Sequence, residues 1–123
     1  MINYGHTHEV YAAEELETGA VWLDGKPIYR RMVTFGAVAA GGAQTVPLGL
    51  GTGLGTVVSL RGMAILADTN YVIPLPYSTP DVNYLYALQI VDANTAPKIS
   101  VGAGVGAGAG IVSGFAVIEY TKK

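Results

Sequence analysis

The sequence predicts an all-β chain: a small β-sandwich or jelly-roll-like domain carrying a short N-terminal arm. Three observations lead there. Five runs are rich in β-branched and aromatic residues, clusters of turn-forming residues separate them, and no stretch beyond the arm keeps a helical period. Regular short strands of this kind are the signature of sandwiches and jelly rolls.

The runs are Pro27–Val38, Thr56–Ala67, Tyr71–Leu75, Tyr84–Val91 and Ile111–Tyr120. Alternation is clearest in Tyr84-Leu85-Tyr86-Ala87-Leu88-Gln89-Ile90, which predicts one buried and one outward face. Turn signals stand at Asp24-Gly25, Gly41-Gly42, Asp68-Thr69-Asn70, Ser78-Thr79-Pro80-Asp81 and Asp92-Ala93-Asn94. Residues 1–18 read as the arm and residues 19–123 as the β domain. The arm holds one helical candidate, Glu9–Glu17, built on Ala12, Ala13, Glu14, Glu15 and Leu16. Two helical turns are marginal alone in water, so this segment needs a partner or stays extended.

Composition narrows the function. Only 13% of the 123 residues are charged and half are hydrophobic, against roughly 25% charged in an ordinary soluble domain. A short chain keeps much of its surface in water, and this one has few charges with which to cover it. A partner that hides surface is therefore expected. The net charge of −2 argues against nucleic acid, which usually requires a basic stripe. Eight charged residues fall before Met32: Glu9, Glu14, Glu15, Glu17, Asp24, Lys26, Arg30 and Arg31. The first ten residues show neither the basic start nor the apolar run of a secretory signal.

Two segments are paved with glycine. Leu48–Gly55 reads LGLGTGLG and is expected to be a flexible loop. Val101–Gly110 reads VGAGVGAGAG, with glycine at Gly102, Gly104, Gly106, Gly108 and Gly110. As an extended hairpin arm it would have one bare face, open to close approach of another backbone, such as a neighbouring copy. Neither segment is a phosphate loop, because the G-x-x-x-x-G-K-[ST] pattern is missing. Ile99–Ile118 is uncharged over twenty residues, the length of a membrane span. Its six glycines oppose a helix, which leaves a membrane-active, fusion-like role as a lesser alternative to no membrane insertion.

Catalysis is not expected. The chain has no cysteine and only two histidines, His6 and His8, so no nucleophile, base and orienter can be assembled. A cupin-type site would use H-x-H and a following acid such as Glu14, yet a third histidine is missing. On an extended strand His6 and His8 point the same way. Three chains about a threefold axis would offer six imidazoles, a set suited to iron, nickel or zinc. The alternative is a solvated arm whose histidines bind nothing. Glu9, Glu14, Glu15 and Glu17 read as a solvated face rather than a cation site. Asp24-Gly25 is a tight-turn dipeptide, Pro27 suits a strand's first residue, and Tyr29 and Arg30 face opposite sides. Trp22 buries a large area in the core or at a subunit interface; a sugar platform is its rival role.

These residues also carry a resemblance. Tyr11, Glu14-Glu15 and Gly19, followed by Val21-Trp22-Leu23-Asp24-Gly25-Lys26-Pro27-Ile28-Tyr29-Arg30, resemble the opening of a domain of bacteriophage fibre and head-fibre proteins. There a Y-S-T-E-E-like segment precedes a T-W-I-D-G-K-P-I-Y-R-like strand. Weaker matches follow in order at Val57–Gly62, Pro74–Tyr77 and Val117–Lys122. The resemblance implies a virion protein made in the host cytoplasm, a homotrimer of β-sandwich subunits held to capsid or tail proteins. Chain length favours a head fibre or capsid decoration over a tail fibre or receptor-binding adhesin. Contact with a host-surface glycan is a further implication. Gly5-His6-Thr7-His8 is similar to the H-x-H units of phage tail-fibre needles, which hold metal ions on the trimer axis. The VGAGVGAGAG stretch departs from the polar, serine-rich segment usual in the family.

Overall fold

The structure, a computed structural model, describes residues 11–67, 70–79, 85–104 and 110–123. Among them nine strands form two antiparallel sheets, and no helix occurs. They are β1 (Leu16–Val21), β2 (Pro27–Phe35), β3 (Ala43–Pro47), β4 (Leu54–Leu66), β5 (Val72–Leu75), β6 (Tyr77–Ser78), β7 (Leu85–Val91), β8 (Lys98–Ala103) and β9 (Ile111–Lys122). The first sheet runs β1-β2-β9-β4-β5 and the second β3-β8-β7-β6. A cis peptide joins Leu75 to Pro76 between β5 and β6.

Alternation builds one core between the sheets. β2 sends Val33 and Phe35 inward, β9 sends Ala116, Ile118 and Tyr120, and β4 sends Ala64 and Leu66. Ile99, Val101 and Ala103 of β8 and Tyr86 of β7 meet them from the second sheet. Each buried aliphatic or aromatic side chain contributes about 1.5–3 kcal/mol relative to exposure. β9 is the keystone of the first sheet. It pairs with β2 through Tyr29↔Tyr120 to Phe35↔Gly114, and with β4 through Ser59↔Glu119 to Ile65↔Ser113.

The expected runs appear as β2, β4, β5, β7 and β9, shifted by a few residues at their ends. Three differences matter. Residues 11–15 are not helical, and Leu16 and Glu17 begin β1. The backbone instead bonds to its neighbours: Met32 N donates to Ala12 O at 2.8 Å and Arg31 Nε to Ala13 O at 3.0 Å. The boundary at residue 18 therefore falls inside a strand, where buried Thr18 donates its hydroxyl to Ile28 O at 2.9 Å. Gly19 (φ +86°) lies in the irregular stretch of β1 that lets the strand realign between Glu17 and Val21.

The glycine segments also sort differently. Residues 48–53 form the expected connection, and Leu54 and Gly55 already belong to β4. Val101–Ala103 is no arm. It ends β8, an interior strand between β3 and β7, and its inward side chains are fully buried. Close approach of another backbone does occur at Gly110, where an added Cβ would lie 2.5 Å from Val38 O. That neighbour belongs to the same chain. Gly106 and Gly108 lie outside the described residues.

Candidate functional site: an apolar sheet face with a charged border

An antiparallel sheet in a sandwich normally presents polar side chains outward. The first sheet departs from this. The positions of β2, β9, β4 and β5 that alternate with the core carry Met32, Phe115, Val117, Met63, Ile65, Val72 and Pro74. Together they line two adjoining grooves of 530 and 300 Å³ that share Met32, Met63 and Phe115. Pro74 is accommodated because β5 is an edge strand. Contiguous apolar surface of this kind marks an interaction site more often than chance exposure.

One end of the larger groove is bordered by charge. Arg30 of β2 donates from Nε (3.0 Å) and Nη2 (2.6 Å) to Oε2 of Glu119 on β9. Arg61 of β4 reaches Oε1 of the same carboxylate at 3.8 Å. Tyr11 lies over both guanidiniums, with Arg30 Cζ 4.6 Å and Arg61 Cζ 6.0 Å from its ring centroid. The Arg61 Nη2 group also donates to its hydroxyl at 3.3 Å. A cation held over an aromatic face is attracted by the ring quadrupole, so the start of the described chain is fixed across three strands.

A second clasp holds residue 15. The Glu15 carboxylate accepts from the Tyr120 hydroxyl and pairs with the Lys122 ammonium. Lys122 Nζ also stands 4.5 Å from the centroid of Tyr29, whose ring is 6.1 Å from that of Tyr120. Burial first, then the hydrogen bond to Glu15, raises the Tyr120 phenol above its ordinary 10.0. The bond to Glu15 raises Lys122 as well. Both groups hold their protons more tightly when folded, so their contribution is complete below about pH 10 and fades as pH rises beyond it. Melting temperature is expected to fall steeply above pH 10. Tyr120→Phe should flatten that fall while costing about 1 kcal/mol at neutral pH. An unchanged alkaline slope in the variant would refute the assignment.

The residues singled out from sequence are spread apart. Trp22 sits at the β1–β2 turn, half-buried and outside the core cluster. Asp24 Oδ1 accepts from Lys26 N at 3.0 Å, and Gly25 takes φ +83°. Pro27 opens β2, and Tyr29 packs against the core margin. Gly102 lies in β8, and Gly104 N donates to Leu85 O at 2.9 Å. His6 and His8 lie outside the described residues. Among the described residues no group of three His, Cys, Asp or Glu side chains is placed to hold a metal ion. Nor is any helix among them long and apolar enough to cross a membrane.

Sequence reasoning missed the apolar face and its Arg30–Glu119–Arg61 border. The available signal was Ala116-Val117-Ile118, three consecutive apolar residues in a strand, which places apolar side chains on both faces. No family model, curated protein or solved structure matches the chain.

Proposed function

We propose that this protein is a structural component of a bacteriophage particle, a homotrimeric head fibre or capsid decoration that helps attach the virion to its host. The observation that carries the reading is the outer face of the first sheet. Met32, Met63, Ile65, Val72 and Phe115 form a continuous apolar surface there on a chain with few charges. Burying such a face at about 25 cal/mol per Å² supplies the drive for association. The Trp22–Arg30 run and the weaker matches after it support the phage assignment. The Asp24-Gly25 turn and Pro27 at the head of β2 make residues 22–26 of that run the tip of the β1–β2 hairpin, while Ile28 and Arg30 are buried in the sheet.

Light scattering on the purified chain tests the reading. Three times the 12.7 kDa chain mass is expected at micromolar concentration. A particle of one chain mass would end it.

A further inference from the structure

We propose that the β1–β2 hairpin tip of one copy plugs the apolar groove of the next. This rests on the oligomeric reading above and names the surfaces involved. The first observation is Leu23, at 93% the most exposed large hydrophobic residue among those described. Nothing local requires leucine there. Gly25 N donates to Trp22 O at 2.9 Å, which makes Leu23 and Asp24 the central residues of a β-turn. Trp22 N donates to Lys26 O at 2.9 Å, and Gly25 supplies the left-handed bulge. The first central position of such a turn accepts most residues. Val21, also well exposed, extends the apolar surface of the tip.

The second observation is reach. Tyr29 pairs with Tyr120, so residues 22–26 overrun Lys122, the end of β9. The tip of the hairpin thus extends past the end of β9. The groove begins at Met32, five residues along β2 from Pro27, or about 17 Å at the strand rise. A paired strand cannot fold the tip back over that distance, so the contact is between molecules.

The third observation is complementarity. The groove is apolar along Met32, Met63, Pro74, Phe115 and Val117, and its polar end carries Arg61, whose side chain is 49% exposed. Asp24 follows Leu23 at the tip. Seating leucine in the groove brings the carboxylate towards that guanidinium. A 530 Å³ groove has room for both Val21 and Leu23. Tip-into-groove contact is head-to-tail, and three copies related by a threefold rotation would close it into a ring.

Two experiments decide it. Leu23→Glu alters an exposed turn position, where substitutions leave folding within about 0.5 kcal/mol. The variant is expected to keep its far-ultraviolet circular dichroism while its mass falls from three chains to one. The chain has no cysteine of its own, so mixing Leu23→Cys with Met63→Cys protein under oxidation should give mixed crosslinked pairs. A Leu23→Glu variant that stays at three chain masses, or crosslinking confined to like pairs, overturns the proposal and leaves the trimer standing. A wild-type chain of one mass overturns both.

Discussion

Gly114→Ala is expected to lower the unfolding free energy by about 3 kcal/mol, the upper range for overpacking a well-filled interior. Gly114 lies in β9, opposite Phe35 on one side and Ala64 on the other. An added Cβ would lie 2.5 Å from Phe35 Cζ and 2.9 Å from its Cε2, and closer still to the carbonyl oxygen of Met63. Neither neighbour can give way. The Phe35 ring is buried in the core, and the Met63 carbonyl is part of a paired strand. Relief requires β9 to move against β2 and β4, which disturbs the ladder that holds the first sheet. Urea titration is the direct measurement, and the melting point should drop by about 10 °C for a chain of this size. Gly36→Ala is the control, because an added Cβ there meets nothing within 4 Å. Equal stability of the two variants would show that β9 has room to spare.

Glu119→Ala should cost a similar amount, about 3 kcal/mol, for an electrostatic reason. The Arg30 side chain is only 9% exposed, and two of its N–H groups bind the Glu119 carboxylate. Removing the carboxylate takes two charge-assisted hydrogen bonds from a guanidinium that water reaches poorly. Glu119→Gln keeps an acceptor without the charge and should fall between alanine and wild type. Arg30→Met combined with Glu119→Ala should recover stability, because removing both partners of a buried pair is far less costly than removing one. A double variant as unstable as Glu119→Ala alone would locate the effect elsewhere, in the contact of Glu119 with Arg61. The single variant also removes a bond that orients Arg30 against the Tyr11 ring. Faster proteolysis near Tyr11 is the accompanying expectation.

Much of the fold was legible because strands advertise themselves by side-chain chemistry. β2, β4, β5, β7 and β9 follow from β-branched and aromatic runs, and the Asp24-Gly25 turn follows from the conformational freedom of glycine at φ +83°. β8 was hidden because its end, Val101-Gly102-Ala103, runs directly into the glycine-rich alternation that follows. What makes Val101 and Ala103 a strand is the pairing of β8 with β3 and β7 on either side. β1 was obscured for the opposite reason. Ala12, Ala13, Glu14 and Glu15 favour a helix locally, but Arg31, Met32, Tyr120 and Lys122 bind that segment in a non-helical path that leads into β1. Tertiary partners outweighed a propensity difference of less than 1 kcal/mol per residue.

The sequence by itself determined the all-β character, the tight turn before β2 and the shortage of charge that calls for a covering partner, because composition and period-two patterning act locally. Only the tertiary structure decided where the apolar outer surface lies among the described residues. Met32, Met63, Pro74, Phe115 and Val117 stand far apart in the chain and become one groove only when β9 is inserted between β2 and β4. The same insertion brings Glu119 between Arg30 and Arg61. Strand order is set by which faces must share one core, a property of the whole chain that no single segment carries.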